Sequence, residues 1–283
     1  MKKLAWCTAL IAFTGTGCLA QSVEGKFERT LQVSGPLNLE LNTDSGGIVV
    51  RPGPPGAVLI RGILKAEWRL FTDRGVEARI RQLEANPPIE QSGNTIRVAA
   101  RDKSLLRGIS MRLEVDAPQE TQLRAHADSG GIEVQGIRGP LDCQTDSGGV
   151  RASDIGADVR AATDSGGIHL RNVNGEVRAH ADSGGIEALD VAGRVEAETD
   201  SGGIRISQTK AAPIRAKTDS GGADVTLAAT GGYTIAAHSD SGRVTASNVT
   251  VTGTPSRKEV NGTLRGGGPL VDIRVDSGNV TIR

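Results

Sequence analysis

Aspartate followed by serine and glycine occurs nine times in this chain of 283 residues. Three chemistries use that trio. Serine beside glycine suits a nucleophile, and trypsin-like proteases carry theirs in Gly-Asp-Ser-Gly-Gly-Pro. A row of carboxylates suits a hard cation such as calcium. Asp, Ser and Gly together also suit a tight turn. The aspartates are Asp44, Asp128, Asp146, Asp164, Asp182, Asp200, Asp219, Asp240 and Asp276, and from Asp128 they step by 18, 18, 18, 18, 19, 21 and 36 residues. A fixed short period means stacked supersecondary units, so a residue recurring at one phase is first a structural column.

A nucleophile needs one positioned base and an oxyanion hole, and nine equivalent serines cannot share one histidine. Thr, Ala, Ser or Val precedes the aspartate, and Ile commonly follows the glycines. The protease reading is therefore set aside and no catalytic residue is assigned. The trio reads as a corner, with Asp44, Ser45, Gly46, Gly47 and Asp164, Ser165, Gly166, Gly167 as examples. Glycine supplies positive φ, and the Asp carboxylate is expected to accept following backbone N–H groups in an Asx-type turn. Calcium is the one cation the column invites, with Asp128, Asp146, Asp164, Asp182, Asp200 and Asp219 as candidates. One carboxylate per coil falls short of the six to eight oxygens that ion takes, so no cofactor is assigned. His126, His180 and His238 share one phase and His169 lies on another, spacings that do not converge on a zinc ion.

The elements that hold these corners follow from the phase of the apolar residues. In the coil starting at Asp164, Ile168, Leu170, Val173, Val177, Ala179 and Ala181 fall inward; the next gives Ile186, Ala188, Val191, Val195, Ala197 and Thr199. Period-two alternation in each half makes two short strands per coil. The second turn is placed at Asn174-Gly175 and Ala192-Gly193. The expected fold is all-β, a β-solenoid or β-roll of 18-residue coils stacked about 4.8 Å apart. Outward columns mix signs: Glu133, Arg151, His169, Glu187, Arg205 and Asp224 in one, Asp142, Arg160, Arg178 and Glu196 in another. Such columns read as solvated faces laced by ion pairs. Extra residues are expected near Thr209 to Pro213 and at Ala228 to Gly232 beside Tyr233, with a longer excursion around Pro255 to Lys258.

Residues 21–120 differ, and are expected to form an amino-terminal β-rich cap. It carries one short helix at about 73–86, capped by Asp73, with Val76, Ile80 and Leu83 inward and Glu77 and Arg81 paired outside. Residues 121–283 are read as the solenoid with its carboxy-terminal cap. Open strand edges invite aggregation, so ends must be covered.

Residues 1–20 read as a signal peptide: Lys2 and Lys3, an apolar run from Leu4 to Phe13, then Cys18 and Ala20 before the cut. A cut before Cys18 would instead give a lipoprotein, but Gly15 stands where such signals usually carry Leu. No other long apolar stretch follows, so no transmembrane segment is expected after signal removal. The remainder holds Cys143 alone and hence no internal disulfide; Cys143 shares its phase with Ala179 and Ala197 and reads as a small buried residue. The whole chain has 33 basic and 33 acidic residues, which argues against a nucleic-acid partner.

The Asp-Ser-Gly-Gly-Ile corners, the helix set among amino-terminal strands, and the ending Gly266-Gly267-Gly268-Pro269-Leu270-Val271-Asp272-Ile273-Arg274-Val275-Asp276-Ser277-Gly278-Asn279 together resemble the bacterial family called putative adhesins. The resemblance implies a β-solenoid at the cell envelope, periplasm or surface, with a protein or glycan ligand. It brings no catalytic residues. The expected function is thus a non-enzymatic exported adhesin or structural module. The alternatives are a carbohydrate-active β-helix lyase or hydrolase, which would need convergent acids beside Tyr233, and an envelope-stress sensing module that binds a partner protein.

Overall fold

The computed structural model describes residues 23–66, 75–99, 103–247 and 250–283. The expected signal segment, Asp73, Trp68 and Phe71 lie outside them. Two long sheets of 12 and 13 strands enclose one continuous apolar core. Val159–Ser165 lies in one sheet, turns at its corner into Ile168–Val173 in the other, and returns as Val177–Ser183. Neighbouring coils pair in parallel at identical phase: Val159 opposite Val177, Ile168 opposite Ile186. The six inward residues of the Asp164 coil are all buried. Each branched one contributes about 1.5–3 kcal/mol, which stabilises strands too short to stand alone.

The second turn lies at Asn174-Gly175 and Ala192-Gly193 as expected, and a kink precedes it inside the strand. Gly136, Asp154, Asn172 and Asp190 fall at one phase, and all adopt left-handed φ between 53° and 67°. Asp and Asn tolerate that region better than other side chains because their short polar groups bond locally. Here Asn172 Nδ2 donates to Asp154 Oδ1 at 2.8 Å in the coil before it. The residues were visible in the sequence, but period-two counting hides a kink inside a strand.

Leu37–Ser45 pairs in parallel with Thr121–Ser129, and Ile48–Pro52 with Ile132–Gln135. The corner at Asp44 is therefore the first rung of the stack. Val23–Gln32 and the strands and helix between Pro52 and Thr121 build the covering of that end. Val23–Gln32 and Ala57–Ala66 run antiparallel and join through Ser110–Ala117, while the hairpin Ile89–Ser92 with Thr95–Val98 extends the other sheet. The helix spans Val76–Ala85 and buries Val76, Ile80 and Leu83. Gly25 lets it sit close, since a Cβ there would strike Ile80. Glu84 Oε1 accepts the Lys26 N–H at 2.9 Å, and Arg29 Nη2 donates to the Ala85 carbonyl at 3.2 Å. The helix thus covers a strand edge, and its own last carbonyls are satisfied in return. Glu77 and Arg81 pair at 3.6 Å.

The far end departs from chain order. Leu270–Ser277 and Val280–Ile282 do not stack beyond the Tyr233 coil. They lie between the Ile214 coil and the Tyr233 coil in both sheets. The hairpin Thr252–Pro255 with Glu259–Leu264 covers the outer edge of Tyr233–Ser239. That leaves its inner edge for the last coil, which gains two parallel neighbours instead of one.

Candidate functional site

The corners line up one per coil. Ser45, Ser129, Ser147, Ser165, Ser183, Ser201, Ser220 and Ser277 are successive register partners. At the seven corners from Asp44 to Asp219 the first glycine donates its N–H to the serine carbonyl one coil on, for example Gly166 to Ser183 at 2.9 Å; the N–H after the second glycine donates to the carbonyl at the second glycine's phase one coil on, for example Ile168 to Gly185 at 3.0 Å. The next coil therefore takes the N–H groups that an Asx-type turn would use, and the aspartate side chains turn outward.

Threonine adds a second fastening between coils, through a carbonyl rather than an N–H. Thr145, Thr163, Thr199 and Thr218, each just before its corner Asp, donate their hydroxyls to the first glycine carbonyl of the preceding coil at 2.8–2.9 Å. Ser239 does so to Gly278 at 2.8 Å, and Thr43 closes its own corner on Gly46 at 2.9 Å. All six are buried. Their inward phase was legible; that an inward Thr fastens two coils was not. Thr163→Val should cost about 1–2 kcal/mol in urea unfolding, because the Gly148 carbonyl loses its donor. Ala181 holds the same phase without a hydroxyl, so Ala181→Thr should raise the urea midpoint, by about 0.5–1.5 kcal/mol of stability.

Four of the nine corner aspartates are held by the residue two before them. His126 pairs with Asp128 at 3.0 Å, His180 with Asp182 at 3.1 Å, His238 with Asp240 at 2.8 Å and Lys217 with Asp219 at 3.7 Å. These three histidines thus each face their own corner. Among the described residues no three His, Cys, Asp or Glu side chains gather as a metal site. The candidate calcium ligands Asp128, Asp146, Asp164, Asp182, Asp200 and Asp219 stay one per rung.

Two reactive groups are inside. Cys143 is buried between Ala125 and Ala161, and burial pushes its thiol up to about 12. It should resist alkylation in the native protein and react only on unfolding, read by iodoacetamide labelling across a urea series. Tyr233 is wholly buried, its hydroxyl donating to Gln208 Oε1 at 3.1 Å and accepting the Ala228 N–H at 3.1 Å. Gln208 in turn donates to the Gly193 carbonyl at 3.0 Å. The enlarged corner at Ala228 to Gly232 is thus plugged from within, and its tyrosine offers no platform to a sugar.

The outer face of the 12-stranded sheet carries a side-chain network across three coils. His169 Nδ1 and Glu187 Oε2 lie 3.0 Å apart, and Arg205 Nη1 donates to Glu187 Oε1 at 2.6 Å, tying three coils. The hydrogen bond to His169, aided by Arg205, holds the Glu187 carboxyl below the usual carboxylate range against a burial effect of opposite sign. A depressed acid stabilises above its ordinary titration range, so this tie is lost as pH falls through that lowered value. His169 and Glu187 also form part of the wall of a shallow trough of about 240 Å³, lined further by Glu133, Gln135, Arg151, Ser153 and Arg171. Among the described residues neither Arg151 nor Arg171 has a carboxylate within 4.0 Å, whereas most arginines of the opposite face do.

A stack of parallel coils with covered ends and outward charge ladders defines a β-solenoid repeat protein. The chain belongs to the Toastrack DUF4097 family, whose profile matches residues 76–283. The resemblance drawn from the repeated corners holds at this level. Similar solved structures include a putative cell adhesion protein from Clostridium sporogenes (14% identity, 91% of this chain and 98% of that one, TM-score 0.33). A putative adhesin from Bacteroides fragilis is also similar (14% identity, 91% and 97% covered, TM-score 0.46). A third is a putative lipid binding protein from Parabacteroides distasonis (10% identity, 92% and 97% covered, TM-score 0.35). No curated protein matches the sequence. Among the described residues no helix is long and apolar enough to cross a membrane.

Proposed function

We propose that the protein is a non-enzymatic, exported module of the cell envelope, adhesive or structural, that binds its ligand along one outer face of the solenoid. Residues 1–20 direct export and residues 21–120 complete the amino-terminal end of the stack. The observation that carries this reading is the distribution of polar chemistry. Serines and aspartates recur one per rung about 4.8 Å apart, and His126 and His180 are separated by the rungs of Gln144 and Ala162, while the His169–Glu187–Arg205 face runs unbroken over three coils. Catalysis needs groups converging on one reacting atom; an extended ligand needs repeated contacts along a line. The donor-rich trough of Arg151, Arg171, Gln135 and Ser153 suits a ligand carrying carboxylates and hydroxyls, such as an acidic glycan.

The test is a binding screen of the exported form against cell-wall polymers, glycans and envelope proteins, with and without calcium. Binding to an acidic polymer, weakened about fivefold or more by Arg151→Ala with Arg171→Ala, is expected. Turnover of any glycan would overturn the reading. Calcium should leave the melting temperature unchanged, since a cation bound only by the folded state would raise it.

A further inference from the structure

The coil from Leu270 to Ile282 fills a gap between two coils that both precede it in sequence. On one side it pairs with Ile214–Ser220 and Ala223–Thr226, on the other with Tyr233–Ser239 and Val244–Ala246. Val271, Ile273, Val275, Val280 and Ile282 are all buried there. One segment joins this coil to the rest of the described fold, Arg265-Gly266-Gly267-Gly268-Pro269. Leu264 and Leu270 flank the same strand, paired with Tyr233 and Thr234 respectively, so the segment carries the chain over that strand. Arg265, Gly266 and Gly267 all have left-handed φ, at 50°, 85° and 89°, and nothing lies within 4 Å of where a Gly266 side chain would stand. Two side chains latch this hinge: Arg265, whose Nη1 donates to the carbonyls of Ala228 at 3.0 Å and Gly231 at 2.7 Å, and Thr234, whose hydroxyl donates to the Gly268 carbonyl at 3.2 Å.

Every contact of the inserted coil is indifferent to which chain supplies it. Only the hinge decides. We propose that the gap is a strand-acceptor slot and that a second copy of this chain fills it with its own residues 270–282, so that copies join by exchanging the last coil. The exchanged form keeps the hydrogen bonds and buried side chains of the coil itself, gives up the Arg265 latch and the Gly267 N–H bond to the Leu264 carbonyl, and relaxes three left-handed residues of the hinge. What opposes exchange is the loss of an intramolecular connection, equivalent to an effective concentration in the millimolar range for a short flexible link. Exchange is therefore driven by crowding of copies, as on a surface, and by anything that keeps the hinge from doubling back. Mutual exchange gives closed pairs; one-way exchange gives open chains.

The test uses two full-length variants, Lys217→Cys and Arg274→Cys. These positions are register partners with outward side chains on the slot and the inserted coil. Mixed at high concentration, incubated and oxidised, they form a disulfide between chains only if the coil of one sits in the slot of the other. The control mixes Glu198→Cys with Lys217→Cys, register partners that stay within one body in either form. Cross-linked heterodimer about tenfold above the control is expected, rising further when Gly266 to Gly268 are deleted or Arg265→Ala removes one latch. A yield equal to the control for both the native and the shortened hinge, with the shortened chain sedimenting as a monomer, would overturn the proposal. A pair that cross-links only after the hinge is shortened would also overturn it for the native protein.

Discussion

Gly184→Ala should lower stability by about 3 kcal/mol or more, whereas Gly185→Ala, one residue on, should cost less than about 1 kcal/mol. Gly184 is the first glycine of a mid-stack corner and has φ of 147°. A Cβ there would press on the backbone carbonyl of Gly166 in the coil before, and neither partner is a flexible side chain. The same backbone contact recurs at Gly130, Gly148, Gly166, Gly202, Gly221 and Gly278. The second glycine meets a milder squeeze, Gly185 with the Gly203 carbonyl at 3.3 Å, which a shift of a few tenths of an ångström relieves, and its φ is not in the left-handed region. The chain itself has run the control: all nine copies keep the first glycine, while Asn279 and Arg243 stand in place of the second. Urea unfolding of the two variants in parallel decides the matter. Equal midpoints would mean that the corner has room for a side chain and that the stacked-turn geometry is wrong.

Ile273→Asp should be the most damaging change at the far end, costing about 4–5 kcal/mol. Ile273 is fully buried, opposite Ala216 on one side and Ala237 on the other. A carboxylate there has no hydrogen-bonding partner and sits between two coils rather than at a free end. Hydrogen exchange gives the diagnostic pattern. Protection should be lost over residues 270–282 and also over Tyr233–Ser239 and Val244–Ala246, which rest on this coil. If coils stacked in chain order, the Tyr233 coil would keep its protection and only the last coil would fray. Retained protection across 233–246 would therefore refute the inserted topology.

The regular coils were legible because one strong periodicity fixes both register and facing. Ile168, Leu170 and Val177 could point only inward once the corner was assigned. The helix was legible from Val76, Ile80 and Leu83, and the extra residues after Gln208 from a step of 19. That coil gains two residues in its loop and gives one back in the strand, where Val191 faces Gln208 one position early. The order of the last two coils was not legible. A separation of 36 residues looks like two regular coils, and no local pattern says which neighbour a strand will choose when two edges compete. The first rung was hidden for a related reason: Asp44 and Asp128 are far apart in sequence, though their serines are register partners. At the candidate site, the residue types were right and the bonds were reassigned. Aspartate was credited with the backbone contacts that the next coil's carbonyls make, because a single coil was considered without its neighbours. Tyr233 looked available to a ligand for the same reason; Gln208, which receives its hydroxyl, lies a full coil away.

Distances between nitroxide labels on one outward column measure the stack directly. Glu133, Arg151, His169, Glu187 and Arg205 are successive register partners, followed by Asp224, Thr281 and Thr245. With Glu133→Cys as the fixed site and the buried Cys143 unlabelled, partners at 205, 224, 281 and 245 should give backbone separations of about 19, 24, 29 and 34 Å, one rung apart in that order. Narrow distributions rising in those steps, with 281 nearer than 245, are what the account predicts. Broad distributions, or residue 245 lying nearer than 281, would contradict it.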